Sequence, residues 1–157
     1  MKNYRGIEVL RALWGAALLI DPDRVLRVVD SDGVDGRSRA VVRILGARQL
    51  VQASFSGLRP SPEVLAMGVW VDTVHSLSAV ALALAVRRRA RAGYTDATIA
   101  GAWSAAGYRD LSRAAPRTQP GPLDRLAEFV LHYLPGGRRL RERVTSARHR
   151  PRSPRQR

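Results

Sequence analysis

The stretch GVWVDTVHSLSAVALALAV, residues 68–86, decides how the rest of the chain is read. It forms most of an apolar run over residues 63–86, opened by Ser61 and Pro62, a favourable N-cap and first-turn pair. The quoted stretch holds one acid, Asp72, and one histidine, His75, and its apolar side chains fall on every side of a helix. A helix apolar all round belongs in a membrane or in the core of a large protein, and a chain of 157 residues has little core to offer. The run is long enough to cross roughly 30 Å of hydrocarbon. Arg87, Arg88, Arg89 and Arg91 end it abruptly.

Upstream, residues 7–20 read as a helix that is apolar except for Glu8 and Arg11, closed by Asp21-Pro22 because proline disfavours helical geometry in the residue before it. RVLRVV, residues 24–29, is a short amphipathic piece, and the Asp-Gly pairs in residues 30–36 mark a loop. A helix follows over residues 38–57, with the body AVVRILGARQLVQASFSG. Downstream, residues 95–108 form a short alanine-rich helix in which Ala97, Gly101 and Ala105 make a small-residue stripe suited to close packing. At about fourteen residues it would rise only about 21 Å, too little to span. A proline-rich linker leads to an amphipathic helix over residues 123–134. From Arg138 onward arginine dominates, and disorder is expected.

The fold class expected is therefore all-α: a small membrane bundle of three to four apolar helices. The domains are a bundle over residues 1–110, a linker over 111–121, an interfacial helix over 122–135 and a disordered arginine-rich tail over 136–157. Net charge is +14 and Lys2 is the only lysine, so the charge is almost all guanidinium. The mean hydropathy of -0.20 averages an apolar part with a basic one. With no cysteine, disulfides, thiolate metal sites and cysteine nucleophiles are excluded. Lys2, Arg5 and the apolar residues 12–20 resemble a signal peptide, but Glu8 and Arg11 interrupt it and no small-residue cleavage site follows, so a retained helix is expected.

Charge also orients the chain. The positive-inside rule puts the arginines at 87–91 in the cytoplasm, with Arg37, Arg39 and Arg43 beside them and the turn at Pro60 and Pro62 outside. A multi-pass protein of the cell membrane with a cytoplasmic tail is expected. Counted outward from that turn in an antiparallel hairpin, Arg48 and Asp72 share one depth. Arg48, Gln52 and Ser56 form one polar stripe, Asp72, His75 and Ser76 a second, and Glu8 and Arg11 with Gly15 a third. An Asp at mid-helix costs roughly 3 kcal/mol on insertion, while each Leu or Val returns roughly 0.3–0.6. The nine Leu and Val residues between Leu65 and Val86 barely offset that, so pairing Asp72 with Arg48 should make the segment tolerable.

Arg48, Asp72 and His75 read either as glue that fixes helix register or as the lining of a proton, ion or ligand site. Glue is favoured. Metal binding is disfavoured because no other histidine lies near His75 in sequence, and no cofactor is expected. Ser76 and Ser78 lie on the same helix as His75 without a nucleophile elbow, which argues against hydrolysis. Trp14, Trp70 and Trp103 read as interfacial anchors, or for Trp70 as core. Arg138, Arg139, Arg141 and Arg143 begin a polybasic end that suits anionic lipid headgroups, as do Arg87, Arg88, Arg89 and Arg91. Nucleic acid is disfavoured as a partner because no aromatics interleave with these arginines. A protein partner or a second copy remains open.

RILGARQLVQA followed by VDTVHSLSAVALALAVRRRA resembles an uncharacterised family of small multi-helix membrane proteins of actinobacteria. The matching positions are Gly46, Ala47, Arg48 and Leu50, then Val71, Asp72, His75 and Ser78, and the resemblance covers about residues 5–110. It implies an integral membrane location and no particular chemistry. The function expected is non-enzymatic, that of a small accessory or scaffold subunit held by Arg48 and Asp72. The alternatives are a small transporter or proton-linked protein using Asp72, His75 and Arg48, and a soluble helical nucleic-acid binder.

Overall fold

The computed structural model describes residues 5–29, 34–57, 60–111, 114 and 120–148. Every element among them is helical: α1 (Gly6–Ile20), α2 (Pro22–Val29), α3 (Gly36–Ser56), α4 (Pro62–Ala85), a 3-10 turn (Arg87–Arg89), α5 (Ala90–Leu111), α6 (Pro122–Tyr133) and α7 (Gly137–Arg148).

Local chemistry sets the boundaries. Asp21 Oδ1 accepts from the Arg24 amide at 3.0 Å and opens α2, with Pro22 in the first turn. Asp35 opens α3 by accepting from the Ser38 amide at 2.6 Å. Ser61 opens α4 by accepting from the Val64 amide at 3.2 Å, and its own hydroxyl donates to Asp124. Asp124 in turn accepts from the Gly121 amide at 2.7 Å, so one buried node joins the starts of α4 and α6. The turn into α7 needs the left-handed conformation that Gly136 takes at φ 78°, which a β-carbon would oppose.

The Asp35 cap gives a testable pH window. Its carboxyl is drawn down to about 2 by hydrogen bonds from Ser38 and by the Arg89 guanidinium. Because the folded value lies below the unfolded one, the contribution is complete above the ordinary carboxylate range and is lost as pH falls toward 2. Thermal melts at pH 7, 4 and 2 should show that Asp35→Asn flattens the fall over the acid half of that range. An unchanged profile would remove Asp35 from the acid response.

The helices pack as two pairs. α1 lies against α3, and α4 lies along α5. The first crossing is made by glycine: a Cβ on Gly15 would stand 2.8 Å from the Gly46 carbonyl oxygen, and one on Gly46 would stand 2.7 Å from that of Gly15. In the second pair a Cβ on Gly93 would stand 2.9 Å from the Ala79 carbonyl oxygen. The expected hairpin of the second and third apolar helices is therefore not a tight pair, since α3 and α4 touch only lightly. Their ends do meet antiparallel, because Arg89 beyond α4 donates to Ser38 at the start of α3, at 2.7 Å.

Three expectations change. The fourth helix runs over 22 residues rather than about fourteen, so it rises about 33 Å and is not short. The arginines at 87–89 turn directly into it, and Gly93, ahead of the expected start at residue 95, sits inside it as the contact with α4. The small-residue stripe shifts accordingly: Gly93, Ala97 and Ala100 are buried, whereas Ala105 is exposed. The tail expected to be disordered from residue 136 is helical through α7. Val144 is buried there, and Leu140, one turn before it, packs on the cluster of Leu65, Ala66, Leu111 and Leu131. Arginine is a good helix former, so an apolar pair one turn apart suffices to dock the segment. Residues 149–157 lie outside the described residues.

α6 and α7 dock on the first half of α4, where Trp70 Nε1 donates to the Pro135 carbonyl at 2.8 Å. The arginines at 87–91 stand at the other end of the same 24-residue helix. The two arginine-rich segments are thus set apart along α4, with Arg139 and Arg143 of α7 sharing a cleft with Trp70, Thr73 and Leu77 near its middle.

Candidate functional site

α1, α3 and α4 converge on Asp72, whose side chain is only 1% exposed. Its Oδ2 accepts from Arg11 Nη2 at 2.9 Å. Its Oδ1 accepts from Arg48 Nη2 at 2.8 Å, from Arg11 Nη1 at 3.3 Å and from Gln52 Nε2 at 3.3 Å. Arg11 grips the carboxylate with both terminal nitrogens, the geometry that makes guanidinium pairing strong. It also donates to Gln49 Oε1 at 3.3 Å, pairs through Nε with Glu8 at 3.1 Å, and lies 5.1 Å from the centre of the Trp103 ring. Glu8 pairs with Arg5 at 3.0 Å, and Arg5 pairs with Asp110 at the end of α5.

The result is a continuous chain, Asp110–Arg5–Glu8–Arg11–Asp72–Arg48, of three arginines and three carboxylates. Its formal charge is zero. It crosses from α5 to α1 to α4 to α3 and so bridges the two helix pairs. Such a chain is kept because every charge is answered, and removing one member leaves an uncompensated charge in a poorly solvated place.

His75 stands apart from it. Its Nε2 lies 2.7 Å from Asp96 Oδ2 on α5, not beside Asp72. Ser76 donates to the Ala97 carbonyl at 2.8 Å and ties α4 to α5. Glu8, Arg11, Arg48, Gln52 and Asp72 are thus brought together, and His75 and Ser76 are not. Among the described residues no three His, Asp or Glu side chains gather as they would around a metal. Of the basic residues, Arg87, Arg88, Arg91, Arg138, Arg139 and Arg143 are exposed. Arg89 is held by Asp35 at 3.0 Å, Arg141 lies 2.8 Å from His132 Nδ1, Arg138 pairs with Glu142, and Arg143 lies over the Tyr108 ring.

Gln49, Asp96 and Asp110 belong to these networks and were not singled out from sequence, while Arg5 and Trp103 were read there only as part of a signal-peptide-like start and as an interfacial anchor. Gln49 adjoins Arg48, and Asp96 and Asp110 are two of the few acids in an apolar region, so a search for counter-charges across all helices would have found them. The chain matches no protein-family model, no curated protein and no solved structure.

Proposed function

We propose that this chain is a non-enzymatic integral membrane protein, a small accessory or scaffold subunit whose two helix pairs are joined by the Arg11–Asp72–Arg48 node. The observation that carries the reading is an inverted polarity. Leu13, Ile44, Leu77 and Leu84 stand 63%, 68%, 65% and 69% exposed, while Glu8, Arg11 and Asp72 are 3%, 5% and 1% exposed. Large apolar side chains facing outward and charges facing inward suit a hydrocarbon solvent and are unfavourable in water. α4 is the one helix among the described residues with the length and composition of a span, and only 33% of its most apolar window is buried, unlike a core helix. A soluble nucleic-acid binder would cover those leucines. The resemblance to the actinobacterial membrane family implies the same siting.

Alkaline carbonate washing of the membrane fraction tests this. The chain should stay in the pellet, and its release into the supernatant would end the reading. The proton-linked alternative is less well supported, because both Asp72 oxygens are already engaged by arginine and His75 belongs to a separate pair.

Orientation follows from the arginines at 87–91 being cytoplasmic. A crossing α4 then carries its own start and the start of α6, joined through Ser61 and Asp124, to the opposite surface, where exposed Arg125, Leu126 and Phe129 suit an anionic headgroup layer. Because the chain lacks cysteine, single-cysteine labelling is clean. In intact cells a membrane-impermeant maleimide should label Arg125→Cys, beside the Asp124 contact with the start of α4, and it should reach Arg88→Cys only after permeabilisation. Equal labelling of both from outside would exclude a crossing α4.

A further inference from the structure

Beyond the ion chain, toward the 3-10 turn, the two helix pairs part around a cavity of about 250 Å³ that the site described above does not use. Its walls are mainly apolar, with Trp14 and Leu18 from α1, Leu26 from α2, Val42 and Leu45 from α3, and Leu82 from α4. The polar lining falls mainly at two levels, since the Ser78 and Thr95 hydroxyls in the wall are spent on the Val74 and Arg91 carbonyls. His75 and Asp96 stand at one, and they answer each other. Ser38 and Arg89 stand at the other, where α3 begins and α4 has ended. Arg89 is 40% exposed there, with Arg87, Arg88 and Arg91 exposed close by in sequence. Its carboxylate partner Asp35 is itself 54% exposed, so that pair is open to exchange.

We propose that this cavity binds the acyl chain of a single-chain anionic amphiphile, with the carboxylate or phosphate head held by Arg89 at the mouth. Three features favour that occupant. The volume falls just under the range of roughly 300–1,000 Å³ typical of small-molecule sites, which suits one chain and not two. The walls offer an alkyl chain contact from five helices, Ile99 of α5 included, and few unmet polar groups. The mouth carries an excess of guanidinium, which attracts an anion and pairs well with an oxyanion. The inference rests on the membrane reading only for where the amphiphile comes from, since such a molecule partitions into a bilayer surface with its head at the depth of Arg89.

Trp14 in the wall supplies the test. The probe is 9,10-dibromostearate, whose bromines quench tryptophan on contact, titrated into the purified full chain in a non-ionic detergent. Its neutral methyl ester serves as the control for the head. We expect saturable quenching that is present in the wild type and missing in Trp14→Phe. Loss of the charge-assisted contact in Arg89→Gln should weaken it about tenfold or more. Leu45→Phe, which narrows the cavity, should abolish saturation. Asp35→Asn frees Arg89 and should leave binding as tight or tighter, which separates charge recognition from damage to the end of the bundle. Quenching that rises linearly without saturation, or that Leu45→Phe leaves unchanged, would show that the chain reaches Trp14 only through the micelle and would overturn the proposal. Equal affinity for the methyl ester would overturn the role of Arg89. Should carbonate washing release the protein, the same titration runs without detergent, so failure of the membrane reading stays distinct from failure of this one.

Discussion

Asp72→Ala is expected to destabilise the chain by about 3–5 kcal/mol, the usual consequence of leaving a buried charge without its partner. The substitution removes one of three carboxylates and leaves Arg11, whose side chain is 6% exposed, with an excess positive charge around it. A loss of that size approaches the whole stability of many domains, so the variant should be cleared from cells or trapped in an aggregate. The more instructive measurement is the compensation. Asp72→Asn keeps the shape and removes the charge, and a second substitution can restore neutrality. Arg11→Gln should restore more of the loss than Arg48→Gln, because Arg11 makes the two-toothed contact and is the more deeply buried, while Arg48 is 21% exposed. Thermal midpoints in detergent for the two double variants decide it. If Arg48→Gln restores as much or more, the node centres on α3 and not on α1. Additive losses in both pairs would remove the ion-pair account altogether.

Gly46→Val should separate α1 from α3. The added Cβ alone would stand 2.7 Å from the Gly15 carbonyl oxygen and 2.9 Å from Leu18 Cβ, and backbone cannot step aside as a side chain end can. Overpacking of this kind typically costs about 1–3 kcal/mol, and a β-branched residue at a backbone-to-backbone contact belongs at the upper end. Gly68 gives the internal comparison, since a Cβ there meets nothing within 4 Å. Gly68→Ala should gain roughly 0.5–1 kcal/mol from helix propensity alone. Protease resistance of the two variants, measured side by side, should move in opposite directions. A tolerated Gly46→Val would mean that the α1–α3 crossing is looser than the glycine contact requires.

Much of this architecture is legible in residues 63–86 and the punctuation around them. The Ser61-Pro62 start, the Asp21-Pro22 break and the Gly136 turn are local signals, and each lies where the helix ends fall. Residues 38–57 and 123–134 are also near their helix bounds, for the same reason. What failed depends on contacts made far along the chain. Residues 90–94 show little apolar pattern of their own until Gly93 is laid against α4, and Leu140 and Val144 look isolated among arginines until Leu131 and Leu65 are beneath them.

The polar cluster divides in the same way. Counting from a hairpin turn brought Asp72 level with Arg48, and they do touch. The larger partner, Arg11, was seen as polar but not as the partner, because only the pairing of α1 with α3 carries it to Asp72. The reach of Arg5 to Asp110, 105 residues away, has no sequence signature at all.

The order of residues in the ion chain has a consequence for biosynthesis. Translation proceeds from the N-terminus, so Arg11 and Arg48 leave the ribosome before Asp72 does. The carboxylate, which would burden α4 if it entered lipid alone, reaches two cations already waiting for it. A nascent chain halted before Pro62 instead sets Arg5, Arg11 and Arg48 against Glu8 alone, so the network stays two positive charges in excess until Asp72 and Asp110 are made.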